Sequence, residues 1–176
     1  MAQKIVLVIA FNGYQQVEYG IPKKLLLAAG FDVITASNKS GAAVAKDGSS
    51  TVVDITIDAI NPADYAGIFF IGGPGALESL DNNKSYELLR KAKLLHITLG
   101  AICISTRILA KSGILNGVKA TGWNGDKELK DIFSQHGALY ADTQMVVEDR
   151  GIITATGPES AEKFAKKIID VIRNKQ

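Results

Sequence analysis

The run Lys4-Ile5-Val6-Leu7-Val8-Ile9-Ala10 is an unbroken aliphatic stretch of strand length. A strand that alternates apolar and polar residues buries one face, whereas one without alternation must be covered on both. The chain supplies the cover by alternation. Strand-like segments fall at Lys4–Ala10, Phe31–Ala36, Val52–Ile55, Gly67–Ile71, His96–Ala101, Val118–Gly122, Gln144–Val147 and Ile152–Thr156. Helix-like segments fall between them, at Tyr19–Ala29, Lys84–Lys93, Ile104–Lys111, Lys127–Gln135 and Ser160–Asn174. The first helix sets Ile21, Leu25, Leu26 and Ala29 on one face, with Pro22 in its first turn and Gly30 beyond its end. The last turns Ala161, Phe164, Ala165, Ile168, Ile169 and Ile172 inward, and leaves Lys163, Lys166, Lys167, Arg173 and Lys175 as a solvated face. The expected architecture is α/β: a doubly wound, mostly parallel sheet sandwiched between helices, with residues 1–176 as one domain.

Charge and cysteine content exclude several partners. The formal net charge is +2, with Lys and Arg dispersed among acids, which argues against nucleic acid or a membrane surface. A lone cysteine forbids an internal disulfide and suits a reducing, cytoplasmic setting. Lys4–Phe11 has the flavour of a leader, but a short apolar run with no small-residue cleavage site reads better as a first buried strand. No stretch reaches transmembrane length.

That cysteine, Cys103, stands in Ala101-Ile102-Cys103-Ile104-Ser105, between a strand and a helix. A nucleophile on such a turn needs small residues two before and two after it, because the backbone folds sharply there; Ala101 and Ser105 meet the condition. The helix N–H groups ahead of the thiol favour its anion, so a pKa below that of a free thiol is expected. The plainer alternative is a small buried hydrophobe.

In doubly wound sheets ligands sit at the carboxyl ends of the strands. Four loops should meet on that rim: Phe11–Glu18, Gly72–Leu77, the Cys103 elbow and Gly122–Asp126. Gly72-Gly73-Pro74-Gly75 lacks the ending of a phosphate loop, and no Gly-x-Gly-x-x-Gly follows the first strand, so no nucleotide cofactor is expected. Its amides could approach a substrate oxyanion, or the segment could be a tight turn alone. Glu18 is either a helix-N-terminal carboxylate or a proton-exchanging partner of the thiol, held toward its protonated form. His96 lies seven residues before Cys103 on the incoming strand, about 23 Å away, and His136 ends a helix descending from the rim. Neither is placed as a base. With no Cys-x-x-Cys or paired histidines, no metal site is expected.

The combination Gly72-Gly73-Pro74-Gly75, Ala101-Ile102-Cys103, Lys119-Ala120-Thr121 and Ile153-Thr154-Ala155-Thr156-Gly157-Pro158 resembles the ThiJ/PfpI superfamily, essentially end to end. That superfamily includes a parkinsonism-associated protein deglycase and PfpI-type intracellular proteases. The resemblance implies a flavodoxin-like fold, a homodimer, Cys103 as nucleophile, Glu18 beside it, and Gly73 with Ile104 as pocket amides, Gly72 preceding them. Two departures stand out. PfpI-type proteases carry a histidine directly after the cysteine, where this chain has Ile104, which speaks against a Cys-His peptidase. Where the deglycase branch has a histidine near the thiol, this chain has Trp123, which either shapes the pocket or packs at an edge. The expected function is thiol-dependent catalysis on a small electrophile: glyoxalase- or deglycase-like, or hydration or hydrolysis of a small carbon–nitrogen compound. The competing class is a redox-responsive or chaperone-like protein that senses through oxidation of Cys103.

Overall fold

The computed structural model describes residues 1–175. Its main sheet has seven strands in the order β11-β12-β8-β7-β1-β3-β6. In chain order these are β1 (Lys4–Ile9), β3 (Asp32–Ser37), β6 (Ile55–Thr56), β7 (Gly67–Phe70), β8 (Thr98–Ile102), β11 (Val146–Asp149) and β12 (Ile152–Ala155). All neighbours pair in parallel except β11 with β12. The chain runs outward from β1 to β6, then returns to the other side of β1 for β7, β8 and β12. The switch point therefore lies between β1 and β7, as expected of a doubly wound fold.

Period-two geometry splits β1 between two apolar layers. Ile5, Leu7 and Ile9 face one cluster with Phe69, Phe164, Ile168 and Leu26, formed under α1 (Gln16–Ala28) and α6 (Ala161–Asn174). Val6, Val8 and Ala10 face the other with Phe70, Leu88, Leu89 and Ile108. That layer is covered by α2 (Ala76–Leu80), α3 (Asn83–Leu94), α4 (Thr106–Lys111) and α5 (Leu129–Gln135). Among the described residues no helix is long and apolar enough to cross a membrane.

Several boundaries differ from the sequence reading. A hairpin of β4 (Gly41–Ala45) and β5 (Ser50–Val53) stands off the main sheet and pairs with β2 (Asn12–Tyr14). Only Val52 and Val53 of the expected Val52–Ile55 strand belong to β5, and Ile55 opens β6. The expected Val118–Gly122 strand shrinks to β9 (Lys119–Ala120), paired only with β10 (Leu139–Tyr140). The first helix begins at Gln16, capped by the Gln15 side chain, so Pro22 sits inside the helix rather than in its first turn. Ile21 is exposed, because the inward stripe of α1 is Glu18, Tyr19, Pro22 and Leu26. The burial of Glu18 sets that phase: positions 18, 22 and 26 repeat at helical spacing.

Candidate functional site

Cys103 follows the last residue of β8 and has φ of 63°, a left-handed backbone that a non-glycine residue adopts only under constraint. The constraint is visible. Ser105 Oγ donates to the Ile71 carbonyl at 2.7 Å, tying the elbow to the end of β7. Thr106 Oγ1 and the Trp123 amide both donate to the Cys103 carbonyl, at 3.0 and 3.3 Å. A 3-10 turn over Cys103–Ser105 leads into α4. Ser105, expected as a small residue at the turn, is thus also a strap.

Glu18 reaches the same point from the first turn of α1. Its side chain is fully buried, and Oε2 accepts the Gly72 amide at 2.9 Å. The Gln15 amide donates to the Gly72 carbonyl at 2.9 Å, so the start of α1 is stitched to the loop after β7. Gly72 has no room for a side chain: a Cβ there would lie 2.6 Å from both the Cys103 Cβ and Glu18 Oε2. Gly73 adopts φ of +120° and packs against the backbone of Gly13 and Gln15. Both glycines are dictated by close approach.

The amides of Ile104 and Gly73 donate to the Cys103 sulfur, and the thiol bonds to Glu18. Burial lifts Glu18 to about 7, against the pull of its bonds to Cys103 and Gly72. Burial also pushes the Cys103 thiol up, reinforced by the Glu18 carboxylate beside it, and this outweighs the two amides. The expectation of a thiol more acidic than a free one is therefore corrected. The amides act in the expected direction, but desolvation and a neighbouring anion dominate. The two groups behave as one acid that carries a single negative charge above about pH 7.

A cleft of about 380 Å³ opens over this pair, lined by Gln15, Glu18, Lys46, Gly73, Pro74, Cys103, Ile104, Trp123 and Pro158. The structure thus brings together Glu18, Gly72, Gly73, Cys103, Ile104 and Trp123. Among the described residues no imidazole lines the cleft. His96 sits in the turn before β8 and His136 caps the end of α5, each away from it. Lys46 and Arg107 were missed. Lys46 comes in on the turn between β4 and β5, whose Asp47-Gly48 pair is a hairpin signal present in the sequence. Arg107 is the one charged residue in the stretch Ile104–Ala110, an oddity that burial explains below.

A model of the DJ-1/PfpI family matches residues 3–171. The chain belongs to that family. An uncharacterised protein of Methanocaldococcus jannaschii is 34% identical over 170 residues, covering 96% of this chain and 82% of that protein. The deglycase PfpI of Pyrococcus furiosus is 29% identical over 168 residues, covering 96% of this chain and 99% of its own length. A ThiJ/PfpI domain protein of Brachyspira murdochii shares the fold with a TM-score of 0.92 over 98% of each chain, at 24% identity. Flavodoxin-like architecture of the DJ-1/PfpI type thus accounts for where β7, β8 and α1 converge.

Proposed function

We propose that the protein is a cysteine-dependent enzyme of the cytoplasm acting on small reactive carbonyl compounds, with 2-oxoaldehydes such as methylglyoxal as its substrate class. The observation that carries this reading is a buried carboxyl near pH 7 bonded to an elbow thiol under an open cleft. A general base is most effective when its pKa lies near the operating pH, and Glu18 meets that condition through burial.

The chemistry balances without an added oxidant. The Cys103 sulfur adds to the aldehyde carbon while its proton passes to Glu18 and on to the new oxygen, giving a hemithioacetal. The Ile104 and Gly73 amides, bonded to sulfur in the free protein, are released as sulfur becomes a neutral thioether and serve the adjacent oxygen. Glu18 then carries the proton from C1 to C2 through an enediol, so that C1 is oxidised to a thioester as C2 is reduced to an alcohol. Water cleaves the thioester, returning the thiol and releasing a 2-hydroxy acid. In an amine adduct of such an aldehyde the thiol would displace the amine, the C–N bond breaking as the C–S bond forms and Glu18 passing the thiol proton to the departing amine, consistent with the deglycase name of the Pyrococcus furiosus relative.

The site favours a second reading in one respect. The amides converge on sulfur itself, which is also the cradle a sulfinate would need. Incubating the purified protein with methylglyoxal and following 2-hydroxy acid formation separates the two. Cys103→Ala should abolish turnover. Turnover that survives in Cys103→Ala overturns the enzyme reading. Absence of turnover, together with stoichiometric peroxide oxidation of Cys103 that changes stability, favours the sensor. Casein cleavage should be negligible, because Ile104 stands where a peptidase of this family carries histidine; robust cleavage lost in Cys103→Ala would contradict that. A homodimer is part of the proposal, supported by exposed Ile21 and Leu27 on α1 and tested by sedimentation.

A further inference from the structure

Arg107 is buried, with only 4% of its side chain exposed, at the start of α4 just beyond the elbow. Burying a guanidinium is costly unless it is paired, and apolar packing would fill the same space at less expense. Its pairing is directed at one loop. Nη2 donates to Asp126 Oδ1 at 2.7 Å and Oδ2 at 2.9 Å, and Nη1 lies 3.7 Å from Glu128 Oε2. The guanidinium carbon lies 5.6 Å from the centroid of the Trp123 ring, within cation–π range. The loop is fixed at other points too: the Trp123 amide bonds to the Cys103 carbonyl at 3.3 Å, and Asn124 Oδ1 accepts the Leu129 amide at 3.0 Å. Gly125 gives the indole its space, since a Cβ there would lie 2.4 Å from a ring carbon.

We propose that Arg107, acting through Asp126, is a positioning residue that holds Trp123 as a wall of the cleft over Cys103. It rests on the reading of that cleft as the reaction site, and it specifies what sets the fit there. The guanidinium touches neither the thiol nor Glu18 and moves no proton. It fixes the ring from one side while the ring lines the cleft. Loss of the pair should loosen ground-state fit, raising KM while leaving kcat nearly unchanged.

Trp123 is the only tryptophan, so its emission reports the wall directly. Asp126→Ala should red-shift that emission and raise its quenching by acrylamide. It should also raise the rate of Cys103 modification by a bulky pyrenyl maleimide, relative to iodoacetamide, by about tenfold. Trp123→Ala should reproduce that change in ratio with the ion pair intact, and Asp126→Asn, which keeps one acceptor, should fall between wild type and Asp126→Ala. Should Asp126→Ala fail to fold, Asp126→Asn and Trp123→Ala carry the test. Unchanged quenching in a folded Asp126 variant, or an unchanged reagent ratio in Trp123→Ala, overturns the proposal. Failure of every carbonyl as substrate would instead defeat the enzyme reading, while the fluorescence and labelling results would still decide the role of Arg107.

Discussion

The face under α6 and the rim around Cys103 are built on opposite terms. Under α6, Phe164, Ile168 and Ile172 are buried in one apolar cluster with Phe69 and the odd-numbered residues of β1. Phe69 and Phe164 meet edge to face with centroids 5.9 Å apart. At the rim, a left-handed cysteine, two glycines without room for a methyl group and a buried carboxyl crowd one point. Glu18 Oε1 has no hydrogen-bond partner within hydrogen-bonding distance. The first region lowers the free energy of the fold; the second consumes some of it to hold reactive groups in place. The contrast teaches that reactivity here is sustained by packing elsewhere.

Three substitutions sharpen or break that contrast. The largest effect should come from Phe164→Ala, which leaves a cavity in the stabilising face and should cost about 3–5 kcal/mol in denaturant titration. The pH midpoint of Cys103 alkylation should not move; a shift would mean that the two regions are coupled. Glu18→Gln should do the reverse and stabilise. A carboxyl raised from 4.5 to about 7 carries no penalty below pH 4.5, and the penalty grows until pH 7. Folding stability of the variant at pH 8 should therefore exceed that of wild type by up to about 3 kcal/mol, with the gain gone by pH 4. Equal stabilities at pH 8 would show that Glu18 ionises without cost.

The same substitution reads differently in reactivity. Wild-type alkylation should rise only with a midpoint above the roughly 8.5 of a free thiol, because burial and the Glu18 carboxylate both oppose the thiolate. Without the carboxylate the thiol keeps its desolvation but loses the neighbouring anion that reinforces it. The alkylation midpoint should therefore move downward, while turnover should fall about a hundredfold or more because the proton carrier is gone. Full turnover in Glu18→Gln would remove Glu18 as the proton carrier. The smallest effect belongs to Lys46→Gln. Lys46 holds Glu18 down slightly, so its loss should move the Glu18 midpoint, read from the pH dependence of turnover, upward by a few tenths of a pH unit, about 0.5 kcal/mol. A downward shift would contradict that electrostatic sign.

The sequence by itself determined the layers and the elbow. The unbroken aliphatic run at β1 required cover on both faces, the period of α6 named its buried side, and Ala101 with Ser105 marked a sharp turn at Cys103. Those features are local, since they depend on periodicity and on side-chain size within a few residues. Tertiary structure alone decided the chemistry. The Glu18 carboxylate is bonded to an amide 54 residues away, and its acidity is set by burial that α1, the β7 loop and the elbow create together. The same burial reversed the expected direction for Cys103. It also turned Ile21 outward, because the inward phase of α1 follows Glu18 rather than its aliphatic residues. Arg107 and Lys46 reached the cleft and its wall through a half-buried ion pair and a hairpin turn that only the folded chain brings near Cys103. Desolvation and long-range pairing depend on what surrounds a group in space, and neighbours in sequence do not specify that.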